Sequence, residues 1–208
     1  MKRILLILSV MTIILTGCKK DHVFEEGVMF GYINGYVYAD LGLSVKWATC
    51  NVGASSPEDY GDYFAWGETS PKAEYTWENS VTFGEQMSDI SGNAQYDAAT
   101  ANWGGSWRMP TKAELEELEN RCTWEWTTQN GVKGYRVTGP NGNSIFLPAA
   151  GYRLRSSLDH AGEYGNFWSS TPNESNSNFA YCLDFGSGYQ GVIWDYRDSG
   201  LSVRPVAE

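Results

Sequence analysis

Cys18 is the residue whose surroundings prescribe a reaction. It follows Leu15-Thr16-Gly17, the end of an apolar run that starts at Ile4, just after Met1-Lys2-Arg3. A basic start, a short apolar stretch and small residues before the cut describe a secretory signal. A cysteine in the next position resembles a bacterial lipobox, where the signal is cut before the cysteine and the cysteine is lipidated. The run is too short to cross a bilayer, which takes ~20 apolar residues. Residues 1–17 therefore read as a signal peptide and residues 18–34 as lipid anchor and tether. The mature chain is expected outside the cytoplasm, with a membrane as partner through the lipid on Cys18.

The other reactive residue types are sparse. Cys50, Cys122 and Cys182 remain once Cys18 is lipidated, an odd count for an oxidising compartment. Cys50 and Cys122 are the first candidates for a disulfide, ahead of any pairing of Cys182, and the alternative is three buried thiols acting as small hydrophobes. No C-x-x-C spacing is present, so no structural zinc is expected. His22 falls in the tether, which leaves His160 as the one imidazole of the domain. The sequence holds no Gly-x-Ser-x-Gly elbow, His-Glu-x-x-His pair or phosphate loop. Two carboxylates at the right separation could still hydrolyse a glycoside. Non-catalytic function without cofactor or metal is the expectation, with a glycan-active enzyme as an alternative.

Composition narrows the class. Losing Lys2 and Arg3 with the signal takes the formal charge from −10 to −12. A chain this acidic repels nucleic acid, which is not expected as a partner. Nine Trp, thirteen Tyr and 23 Gly point to a turn-rich, β-containing fold packed by aromatics.

Candidate strands are 35–40 and 44–49, joined by Leu41-Gly42-Leu43, and the aromatic run Tyr63-Phe64-Ala65-Trp66. Residues 69–95 read as a long polar excursion. A short Ala-rich helix is expected over Tyr96 to Asn102. A second starts at Thr111, where Thr111-Lys112-Ala113-Glu114 fits a capping box and Leu115, Leu118 and Cys122 recur on one face. Glu114, Glu116, Glu117 and Glu119 then form a solvated face. Asn130-Gly131 and Asn141-Gly142 are type I′ hairpin signals. Residues 151–165 read as a polar loop, followed by strands over 166–170, 179–185, 191–194 and 201–206. Arg108 and Arg204 sit among apolar neighbours, so each is expected to pair with carboxylates or carbonyls.

Several of these segments carry a family likeness. Residues 40–53 read Asp-Leu-Gly-Leu-Ser-Val-Lys-Trp-Ala-Thr-Cys-Asn-Val-Gly, and 62–68 read Asp-Tyr-Phe-Ala-Trp-Gly-Glu. Trp103-Gly104-Gly105-Ser106-Trp107-Arg108-Met109-Pro110-Thr111 comes next, then Ile145 to Arg153, Trp168-Ser169-Ser170 and Ser202-Val203-Arg204-Pro205-Val206. Together they resemble the Fibrobacter succinogenes major paralogous domain, over about residues 35–206. The resemblance implies one domain over 35–208 of α+β class. Its plan is C-type-lectin-like: a mixed, mainly antiparallel sheet core, two helices and long loops that hold the ligand.

That plan gives a place for ligand chemistry. Sugar-binding C-type lectins use Glu-Pro-Asn or Gln-Pro-Asp and then Trp-Asn-Asp. Pro172-Asn173-Glu174 has the wrong order and Trp194-Asp195 lacks its partner, so a lectin-type calcium site is not expected. An aromatic glycan platform fits better, with Tyr189, Trp194, Tyr196 and Arg197 in the late loop-and-strand region. Arg153, Arg155 and His160 are candidate neighbours. Trp47, Trp66, Trp103, Trp107 and Trp168 lie inside the family motifs and are expected in the core. The resulting expectation is an outer-membrane lipoprotein, exposed at the cell surface, that binds a glycan or an envelope protein. A structural or adhesive surface component is the alternative.

Overall fold

The computed structural model describes residues 30–208. The signal, Cys18 and most of the tether lie outside the described residues. The chain forms β1 (Phe30–Ile33), β2 (Tyr36–Ala39) and β3 (Lys46–Ala48), then α1 (Ala98–Trp103) and α2 (Lys112–Arg121). Next come β4 (Thr123–Gln129), β5 (Val132–Thr138), β6 (Ser144–Pro148), β7 (Tyr152–Leu154) and β8 (Ser157–Asp159). β9 (Tyr164–Pro172), β10 (Phe179–Gly186), β11 (Tyr189–Tyr196) and β12 (Val206–Ala207) complete it. The named strands form sheets ordered β1-β2-β3-β12, β4-β5-β6, β7-β8 and β9-β10-β11, with every pair antiparallel. The architecture is mainly antiparallel β with two short helices. The α+β expectation overstates the helical share, because one helix has six residues and the other ten.

The helix signals act as expected. Thr111 Oγ1 accepts the Glu114 N–H and the Glu114 carboxylate accepts the Thr111 N–H at 2.8 Å, so the capping box forms. Leu115 and Leu118 are buried against a core that includes Phe167, Leu183 and Phe185. α1 starts on Asp97, whose buried carboxylate accepts the N–H groups of Gly92, Thr100 and Met109.

Turn chemistry divides. Asn130 and Gly131 both take positive φ, as a type I′ turn requires. Asn141-Gly142 does not make that turn: the chain closes instead through Gly142 N–H to Gly139 C=O at 3.0 Å. Only Gly142 has positive φ there. Pro140 stands first inside that turn, and its ring fixes the negative φ of a type I turn. The expected polar loop 151–165 is a β-hairpin, β7-β8, and β1 joins the first sheet within what reads as tether.

The closing segment ties these pieces together. Every residue from Ser199 to Ala207 is buried. Gly200 exchanges hydrogen bonds with Arg153, Leu201 with Phe64, and Val206 with Arg108, while Val52 N–H reaches Val203 C=O. Three family-motif tryptophans are locked by their indole N–H: Trp66 to Ser169 C=O, Trp168 to Phe64 C=O and Trp107 to Ile33 C=O. All five motif tryptophans are buried, as expected from the sequence.

The two arginines expected to pair do so. Arg108 grips the Glu114 carboxylate at 2.6 and 2.8 Å. Arg204, 1% exposed, donates to Asn51 Oδ1 and to the carbonyls of Ala48, Thr49 and Phe146. Desolvation pulls its pKa down to about 9, so it keeps its charge at neutral pH.

Cys122 and Cys182 are free, so the Cys50–Cys122 disulfide is not formed. Cys122 caps the C-terminal end of α2, directly after Arg121, and stays half-buried. Cys50 is buried and disulfide-bonded.

Candidate ligand-binding surfaces

The β10-β11 hairpin supplies the first surface. Phe179 lies opposite Tyr196 and Tyr181 opposite Trp194 in the ladder. Side chains two apart on a strand share a face, so these four point the same way. The Phe179 ring centroid is 4.4 Å from both Trp194 and Tyr196, and Phe83 from the long excursion adds a ring 6.4 Å from Tyr196. Further along this face Leu183 and Phe185 are buried with α2, whereas Trp194 and Tyr196 remain about half exposed at 52% and 51%. The Lys112 ammonium, at the start of α2, sits 4.1 Å above the Tyr181 ring and closes that end of the row. The result is a rigid aromatic ledge, with each ring braced by a neighbour.

Tyr189, expected in the same group, lies elsewhere. It is five residues from Trp194 and on the opposite face of β11. There it hydrogen-bonds Asp184, which also accepts the Asn166 amide at 2.8 Å, and it neighbours Tyr164. Burial, reinforced by Asp184, pushes the Tyr189 hydroxyl up to about 12. Burial likewise raises Asp184, against the two hydrogen bonds it receives.

Arg197 is not a ligand group. Only 1% exposed, it lies 4.3 Å over the Trp66 ring and donates to the carbonyls of Phe179, Thr82 and Glu85. Through these bonds it pins the excursion, which carries Thr82 and Glu85, onto the hairpin, which carries Phe179. Desolvation lowers its pKa to about 10. Arg153 is half-buried, 5.2 Å over the Tyr63 ring, and bridges backbone to Gly200. His160 is exposed and pairs with Glu163 at 3.0 Å.

Arg155 leads to a second surface. It bridges backbone to buried Tyr75 and lies in the wall of an open cleft of about 940 Å³. Trp77 stands over this cleft at 61% exposure, on a 3-10 turn spanning Trp77–Asn79. Glu74, Glu78, Asp159 and Asp198 line it. Among the described residues no three His, Cys, Asp or Glu side chains come together as a metal-binding group.

The family model of the Lcl C-terminal domain matches residues 36–207. The chain belongs to that family. No curated protein and no solved structure matches it. Within this Lcl C-terminal domain, Trp194 and Tyr196 lie on one face together with Phe179 and Phe83, which the sequence reading did not include. Strand alternation in 179–185 could have placed Phe179. Nothing local marks Phe83 or Trp77, since the excursion that carries them has no periodicity.

Proposed function

We propose that this protein is a non-catalytic envelope lipoprotein that binds a glycan on the Trp194–Phe179–Tyr196 ledge. The exposure of that ledge is the observation that carries the reading. Two large rings held half in solvent by a third retain apolar area that folding did not bury, and such patches mark interaction sites. Sugars present flat apolar faces to such rings, while neighbouring hydroxyls such as that of Tyr196 meet their polar edges. Rigid rings also lose little side-chain entropy on binding.

The finer assignment, to the Fibrobacter succinogenes major paralogous domain with a C-type-lectin-like plan, is part of this proposal. Two helices, an antiparallel sheet core and an excursion that carries Phe83 to the ledge support it. Lipidation at Cys18, with surface exposure at the outer membrane, rests on the sequence signal.

The non-catalytic reading rests on the thiols and on His160. Formylglycine-generating relatives of the lectin-like plan use reactive cysteines, but here burial pushes Cys122 up to about 11 and raises Cys182 as well. Such thiols are poor nucleophiles at neutral pH. His160 is exposed, pairs with the exposed Glu163 carboxylate and lies beside the Tyr152 and Tyr164 rings.

A glycan array probed with detergent-solubilised protein, with and without a chelator, tests the reading. Binding that survives the chelator and disappears in Trp194→Ala supports the ledge. Loss with chelator moves the site to a metal. Silence across a broad array moves the ledge to a protein partner or to a structural role in the envelope.

A further inference from the structure

We infer that the cleft beneath Trp77 is a second binding site, and that it takes a cationic peptide segment bearing lysine or arginine side chains. It is separate from the ledge and does not depend on the glycan reading.

The cleft combines three things that arise from different parts of the chain. The first is room: about 940 Å³, at the upper end of the ~300–1,000 Å³ typical of ligand sites. The second is a tryptophan held in place without being buried. The turn carrying Trp77 is fixed by Asn79, whose N–H reaches Thr76 C=O at 3.2 Å and whose amide reaches Glu74 C=O at 3.0 Å. The Thr76 N–H returns to Asn79 Oδ1 at 3.3 Å, and Lys72 Nζ donates to Asn79 C=O at 3.2 Å. Below it the floor is set by Tyr75, which exchanges 2.9 Å backbone hydrogen bonds with Arg155 and donates its hydroxyl to Tyr63 C=O. The fixed turn therefore presents Trp77 to solvent at the cleft, and an indole face attracts ammonium and guanidinium groups.

The third is charge. Glu74 and Glu78 come from the excursion, Asp159 from β8 and Asp198 from the turn after β11, against Arg155 as the only cation among the described residues of the lining. Lys72 stands near Asp198 but is held by Glu68 at 2.9 Å. Burial raises the Asp198 carboxyl, a penalty that an incoming cation would offset. Carboxylates on three separate segments suit cations on several flexible stems better than one compact cation. Exposed Leu154 in the same cleft gives the aliphatic stems of lysine or arginine a surface to lie on.

The test is fluorescence anisotropy of fluorescein-labelled hexalysine with the full-length protein in detergent. Hexaarginine and fully deacetylated chitohexaose serve as competitors. Binding is expected to weaken about two- to fivefold in Trp77→Ala and by a similar factor in Glu78→Gln. The charge-matched control Glu119→Gln on α2, and Trp194→Ala on the ledge, should leave it unchanged. Trp77 and Glu78 are exposed, so both variants should fold, which circular dichroism checks. No binding of hexalysine overturns the proposal. So does an equal loss in Glu119→Gln, which would mean attraction to overall charge. Stronger displacement by the amino-sugar oligomer than by hexaarginine would overturn the peptide assignment.

Discussion

Replacing Arg204 by methionine should come close to unfolding this domain. The guanidinium is buried and donates four hydrogen bonds, at 2.8 Å to Asn51 Oδ1 and at 3.1, 2.8 and 2.9 Å to the carbonyls of Ala48, Thr49 and Phe146. Methionine fills much of the volume but leaves all four acceptors in place without these donors. Each orphaned buried acceptor costs about 1–3 kcal/mol. Even the low end of that range gives a loss of about 4 kcal/mol, against a total stability of about 5–15 kcal/mol for an ordinary domain. Buried ions can be replaced by apolar residues at little cost only when their partners are replaced too, and here three of the partners are backbone. Lysine keeps the charge but places its donors at one point, so Arg204→Lys should fall between methionine and wild type. Urea unfolding followed by tryptophan fluorescence measures this as a shift in midpoint at constant slope. An Arg204→Met protein within about 1 kcal/mol of wild type would refute the reasoning, because it would mean that the four acceptors find other donors.

Glu114 gives a pH dependence of definite sign. Burial alone would raise its carboxyl, but Arg108 and the Thr111 N–H outweigh it and hold the group below its ordinary 4.5. A depressed folded pKa contributes stability above 4.5 that is lost as pH falls through the folded value, so Arg108→Gln should flatten the acid limb of a stability–pH curve. Asp97 acts oppositely: burial raises it, so its own contribution improves on acidification, and Asp97→Asn should steepen that limb. Gly200→Ala would set a Cβ 2.6 Å from the Tyr75 ring, an overpacking that costs about 1–3 kcal/mol and should appear as a lower Tm. At pH 8 a thiol titrating near 11 is only about one part in a thousand thiolate. Native Cys122 should therefore label slowly and Cys182, fully buried, more slowly still, while urea exposes both to a thiol reagent at once.

What the sequence determined about this protein was local. Thr111 and Glu114 sit three residues apart, so their capping box needs nothing from the rest of the chain. Asn130-Gly131 dictates its own turn because both residues tolerate positive φ. Asn141-Gly142 failed for an equally local reason, the proline before it, which was visible but outweighed by the dipeptide. The motif tryptophans were legible as core because they sit in apolar runs. Burial of long polar side chains was not legible. Arg197 and Arg155 look alike in sequence, yet one is sealed under the excursion and the other lines an open cleft. Which aromatic stays in solvent depends on how far α2 reaches along β10 and β11: it covers Leu183 and Phe185 and stops at Tyr181, so Trp194 and Tyr196 stay out. Coverage of this kind is set by contacts between segments far apart in the chain, and only the tertiary structure decides them.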